Sequence, residues 1–121
     1  MRYRDFEELV ANTLASLPQE FQTKLGDVAI FIEEWPEREL LIDLEMDPDE
    51  ETLFGLFEPG EPIPDASRDF PDTMPARITI YKGPIEEVCD TDDAIAEEVR
   101  LTVLHEVGHY FGLSEEQVEH L

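Results

Sequence analysis

Residues 91–115 read TDDAIAEEVRLTVLHEVGHYFGLSE, and inside them His105-Glu106-Val107-Gly108-His109 spells H-E-x-x-H. Ile95, Val99, Leu101, Leu104, Val107 and Phe111 recur at helical spacing up to Gly112, which predicts one long helix. The Thr91 hydroxyl can cap its start, and Asp92 and Asp93 suit the positive first turn. At 100° per residue His109 lies about 40° round from His105 and one turn along, so both imidazoles can point at one metal ion. Leu104, Val107 and Phe111 fall about 200° to 260° round from His105, on the side that a core would cover. Glu106 stands beside the histidines without being needed as a ligand, which is the place for a base acting on water. With only 3 His in the chain, a shuffled sequence of this composition would hold the motif roughly 0.008 times. Two histidines and a glutamate on a solvated helix face is the bland alternative, and it does not account for the free face on which they fall.

Zinc in a catalytic site takes three protein ligands and leaves one position open. The chain continues as Tyr110-Phe111-Gly112-Leu113-Ser114-Glu115, extending the pattern to H-E-x-x-H-x-x-G-x-x-E. Gly112 can adopt the left-handed conformation that ends a helix and turns the chain back. Glu115 then becomes the candidate third ligand, with Glu116, Glu119 and His120 as competitors. Ser114 to Leu121 also reads as a short final helix capped by Ser114, and both readings of Glu115 can hold together.

Outward from this segment, 121 residues with 41% hydrophobic and 32% charged content predict one domain spanning 1–121 with a single core. A net charge of −23 argues against nucleic acid and against anionic membrane surfaces as partners. The chain has one cysteine, Cys89, so no internal disulfide is possible and a reducing, cytoplasmic setting is expected. No apolar run approaches the roughly 18 residues of a membrane span, and Asp5, Glu7 and Glu8 take the place of a signal-peptide core. The acid surplus reads as a device for solubility, and a monomer is expected.

At the N-terminal end, Phe6, Leu9, Val10, Thr13, Leu14 and Leu17 form one helical stripe, with Asp5 and Glu8 as a capped start. Pro18 interrupts it or opens a short turn from Gln19 to Lys24, and Gly26 ends that. Val28 to Ile32 is the first strand. Glu37 to Met46 leans towards a short helix or turn. Thr52 to Phe57 is a second apolar run. Arg77 to Tyr81 alternates as a third strand, closed by Lys82-Gly83-Pro84. Between the last two, Glu58 to Ala76 holds five of the nine prolines and reads as a long loop, of the kind that often serves as a lid or rim. Trp35 reads as a core or rim aromatic, and Cys89 as a small buried hydrophobe rather than a ligand.

The extended metal motif resembles the zincin metallopeptidases. Over residues 6 to 121 the chain is similar to the small single-domain bacterial zincin-like metallopeptidases, through Leu17-Pro18, Val28 to Glu34, Leu53 to Phe57, Arg77 to Tyr81, Gly83-Pro84-Ile85 and Val99 to Glu106. That family commonly has Asp where Glu115 stands. The resemblance implies a minimal α+β zincin-like fold: an N-terminal helix, a mixed sheet of about three strands and a C-terminal active-site helix. It also implies Zn²⁺ held by His105, His109 and Glu115, and hydrolysis of a peptide or protein substrate. Zinc would activate water and polarise the scissile carbonyl while Glu106 shuttles the proton. Tyr110 or Tyr81 is a candidate oxyanion donor, and Thr52 to Phe57 or Arg77 to Tyr81 a candidate edge strand for extended substrate. The alternatives are a zinc- or peptide-binding module with little turnover, and a purely structural zinc.

Overall fold

Where apolar residues recur three and four apart the chain is helical, and where β-branched residues run together it is extended. The computed structural model describes residues 1–62 and 73–120. In chain order they form α1 (Tyr3–Ala15), α2 (Gln19–Leu25), β1 (Ala29–Glu33), α3 (Arg38–Asp43), β2 (Gly55–Glu58), β3 (Glu61–Pro62), β4 (Thr73–Met74), β5 (Arg77–Tyr81), α4 (Lys82–Val88), α5 (Asp92–Phe111) and α6 (Glu115–Glu119). This is the expected α+β arrangement, with α1 and the long α5 packed together and α5 also against β2 and β5.

The three-stranded sheet has the order β1-β5-β2, with β1 parallel and β2 antiparallel to β5. Register runs from Ala29 opposite Arg77 to Glu33 opposite Tyr81, and from Gly55 opposite Ile80 to Glu58 opposite Arg77. Being central, β5 is buried on both faces from Ile78 to Tyr81, including Thr79, so its alternating sequence does not translate into one wet face. Of the two candidate edge strands, then, Arg77 to Tyr81 lies in the middle, and among the described residues β2 lies on the outside. The core gathers Phe6, Val10 and Leu17 with Ile78, Ile80, Ile85, Val99, Val103 and Val107.

Four details differ from the sequence reading. The first helix begins at Tyr3 with Arg2 at the cap position and no side-chain cap, so Asp5 acts only through the helix dipole in the first turn. Thr52 to Phe57 becomes strand only from Gly55 onward. Lys82-Gly83-Pro84 does not close a strand with a turn but opens α4, because Pro84 sits in a first turn where its missing N–H has no partner to lose. The flanks of the proline-rich stretch pair with each other, Glu61 opposite Met74 and Pro62 opposite Thr73, so it is not loop throughout; residues 63–72 lie outside the described residues.

Candidate metal centre

The Thr91 hydroxyl accepts a hydrogen bond from the Ala94 N–H at 3.1 Å and fixes the start of α5. Four turns on, the His105 and His109 rings stand edge to face with centroids 4.4 Å apart. Both side chains are partly open to solvent, whereas Glu106 is only 6% exposed. One donor atom from each of His105, Glu106 and His109 lies within 4.8 Å of the others. Among the described residues, this is the only group of three such side chains drawn so close.

The position of Glu106 follows from β2. A Cβ on Gly55 would stand 2.8 Å from Thr102 Cγ2 and 3.0 Å from Glu106 Cγ, so only glycine lets the outer strand lie this tightly on α5. Glu106 Oε2 is 3.3 Å from His109 Nδ1. Burial pushes the Glu106 carboxyl above the ordinary carboxylate range, against the opposing pull of His109, His105 and a hydrogen bond from the Phe57 backbone. A groove of about 280 Å³ opens beside it, lined by Phe54, Gly55, Glu98, Leu101, Thr102, His105 and Glu106.

The return of the chain after α5 follows from two further glycines. Gly112 takes the left-handed conformation at φ 66°, and the Leu113 N–H reaches back to the Gly108 carbonyl at 2.8 Å. Gly108 then faces Val118 of α6, whose Cγ2 would be 2.3 Å from any Cβ placed there. Ser114 caps α6 in a reciprocal box with Gln117, which holds Glu115 in the first turn. From there Glu115 Oε2 comes to 3.6 Å from His105 Nδ1. The carboxylate is thus brought to the edge of the histidine pair without joining the tighter group. Among the described residues, Glu116, Glu119 and His120 form no ion pair with that histidine or with His109, and all three are exposed.

A family model of zincin-like metallopeptidases matches residues 25–121. The chain belongs to that family. A conserved hypothetical protein from T. thermophilus has a similar structure, with a TM-score of 0.62 and 27% sequence identity over 92% of this chain and 94% of that chain. No curated protein matches.

A zincin-like metallopeptidase implies a metal, typically zinc, and the donor set fits one. Two imidazole nitrogens and carboxylate oxygens are the ligand types zinc accepts, and the histidines keep their solvent-facing side free. The tyrosines are placed less favourably for catalysis. Tyr81 is buried, with its phenol pushed up to about 12 chiefly by that burial, and Tyr110 packs edge-on against Phe57 and Phe111. Trp35 is a rim aromatic, 52% exposed and laid over Gly83, while Cys89 is half-buried at the margin of the core. Sequence reasoning missed Gly55, Gly108, Thr102 and Glu98 around the site. The first two had a signal: a lone glycine inside a strand or helix marks close approach by another element.

Proposed function

We propose that the chain is a zinc-dependent peptidase working as one cytoplasmic domain, a monomer, on peptide or protein substrates. The observation that carries this reading is the buried Glu106 carboxylate, held by β2 beside the histidine pair and opening onto a groove. His105, His109 and Glu115 would hold the metal, which when bound acidifies water and polarises a carbonyl. The outer edge of β2 offers backbone groups to a substrate in extended form, which aligns its scissile bond along α5. Glu106 takes a proton from the attacking water as the new C–O bond forms. It gives that proton to the amine nitrogen as the C–N bond breaks. A carboxyl raised by burial is suited to both halves of this exchange, since it accepts a proton readily and still releases it.

The groove is shallow and small, which favours a second reading: a zinc- or peptide-binding module with little turnover. Elemental analysis of the purified protein separates these readings from an accidental motif. About one zinc per chain is expected, lost in His109→Ala. In Glu115→Ala the zinc affinity is expected to fall by more than the roughly 10–100-fold typical of residues that only support a ligand. Absence of zinc after incubation with the metal would overturn both readings. With zinc present, cleavage of a broad peptide library by wild type identifies the enzyme, and binding without cleavage identifies the module. Melting of the fold by a chelator would point instead to a structural zinc.

A further inference from the structure

One stripe of α5 carries Glu98, Leu101, Thr102 and His105 at the spacing i, i+3, i+4, i+7, and this stripe floors the groove. Its two ends differ in chemistry. At the motif end stand His105 and Glu106; in the middle, Leu101 leaves a large apolar side chain 47% exposed opposite Phe54. At the far end is Glu98, a half-buried carboxylate that makes no ion pair among the described residues. The lysines, arginines and N-terminal ammonium that do pair are engaged elsewhere: Met1 with Glu86, Arg38 with Asp49, Arg77 with Glu33 and Glu58, Lys82 with Glu34 and Glu86, Arg100 with Glu97. Among the described residues, no lysine or arginine lines the groove.

Taking the position of the substrate from the peptidase reading, we propose that this groove is a side-chain subsite for a lysine or arginine of the peptide, its stem on Phe54 and Leu101 and its cationic head on the Glu98 carboxylate. Helical rise sets Glu98 about 10.5 Å from His105 along α5, so a short side chain near the scissile bond leaves it unmet. Lysine and arginine bury an apolar stem while keeping the head at the water's edge, which is the order of surfaces the groove presents. An apolar occupant of the same length would desolvate the Glu98 carboxylate without replacing its hydrogen bonds. An acidic occupant would meet Glu98, Glu106 and a chain of net charge −23. Selection therefore comes from repulsion of the wrong side chain as well as attraction of the right one.

The test is equilibrium binding to zinc-loaded Glu106→Gln protein, which keeps the groove while hydrolysis is suppressed. Peptides uncharged at every other position are compared, in which one position, moved along the peptide, holds arginine, its uncharged near-isostere citrulline, or glutamate. At one or two positions arginine is expected to bind about tenfold more tightly than citrulline, as a charge-assisted contact requires. Adding Glu98→Gln brings that ratio to about one, and Glu98→Lys inverts it in favour of glutamate. Glu20→Gln on α2 removes the same charge from another helix and keeps the ratio. If Glu98→Lys fails to fold, Glu98→Gln decides alone. A ratio near one at every position, a ratio that survives Glu98→Gln, or no measurable binding of any peptide each overturns the proposal. Wild type given the same peptides tells the two readings apart. Cleavage without preference for arginine removes the subsite and leaves the peptidase, whereas selective binding without cleavage removes the peptidase and leaves the subsite.

Discussion

Glu86, half-buried, and Glu106, buried, are two carboxylates each within one helical turn of a basic side chain, and they respond in opposite directions. On α4, Glu86 forms an ion pair with Lys82 through one oxygen and accepts from the N-terminal ammonium of Met1 at 3.5 Å through the other, and these two cations, Lys82 chiefly, hold its carboxyl below the ordinary range. On α5, Glu106 has His109 as its neighbour, and burial drives its carboxyl above that range. Lysine brings a full positive charge at neutral pH, and the Lys82 ammonium, nearly buried itself, also has Glu34 at 3.9 Å. An imidazole near neutrality brings at most part of a charge. The first site is electrically complete, a brace between α4 and the end of β1. The second sets a buried carboxyl beside two imidazoles with no lysine or arginine paired to it among the described residues, a donor set that suits a divalent cation.

The comparison breaks first, if it breaks, at Glu106→Gln. Peptide hydrolysis should fall by about 10²–10⁴-fold in kcat while zinc content by elemental analysis stays near one per chain. In the metal-free protein the same substitution should be neutral or stabilising in urea unfolding, because it removes a charge that burial opposes. Glu86→Gln should do the reverse. It leaves the Lys82 ammonium with only the more distant Glu34, and stability at neutral pH should drop by about 2 kcal/mol, below the range for fully buried pairs since Glu86 keeps some contact with water. The folded-state pKa of Glu86 lies below its ordinary 4.5, so its contribution is complete above that value and disappears as the pH falls through the lower folded-state value. Unfolding curves for wild type and Glu86→Gln should therefore converge in acid. Equal destabilisation by both substitutions at neutral pH would erase the distinction between brace and site.

Much of this contrast was legible before any fold. The motif, its face on α5, the Gly112 turn and the Ser114 cap all follow from spacing within one helix and the residues just after it, where local geometry decides the outcome. Glu86 and Lys82 were not legible, since the sequence reading closed a strand at Lys82-Gly83-Pro84 and so never placed the two residues on one helical face. Nor could alternation in Arg77 to Tyr81 show that this strand is covered on both sides. That depends on which strands flank it, a long-range fact with no local signature. Glu98 escaped for a similar reason. It is one acid in a run with Glu97, and only the arrival of Gly55 of β2, with Phe54 just before it, turns its helix face into a groove wall.

A pair of glycines sharpens the comparison at smaller cost. Gly55 lets β2 close on Glu106, and Gly83 lets α4 close under Trp35, where a Cβ would lie 2.3 Å from the indole and 2.6 Å from the Glu34 carbonyl oxygen. Alanine at either position should lower stability by about 1–2 kcal/mol through overpacking. The two should differ in what else they change. Gly55→Ala moves the base relative to the histidines and should depress kcat beyond any loss of folded protein, whereas Gly83→Ala should leave kcat per folded molecule alone. Steady-state kinetics on protein corrected for folded fraction by circular dichroism reads the difference.

The smallest effect is expected at Ser114, and it bears on how the anionic site is completed. Its hydroxyl accepts from the Gln117 N–H at 3.2 Å, while the Gln117 side chain accepts from the Ser114 N–H at 2.8 Å. Ser114→Ala removes one half of this box at a cost of about 1 kcal/mol, nearly all of it local to a five-residue helix. A helix so short is held by its cap and by Val118 against Gly108 rather than by its own propagation, so loosening the cap frees Glu115 before it touches the core. If Glu115 is a ligand, zinc affinity should weaken by a few-fold at most, in step with that cap energy, while the urea midpoint of the metal-free protein barely moves. If Glu115 only decorates α6, the zinc affinity of Ser114→Ala should equal that of wild type. A loss as large as that of His109→Ala would mean instead that the C-terminal turn organises the histidines themselves.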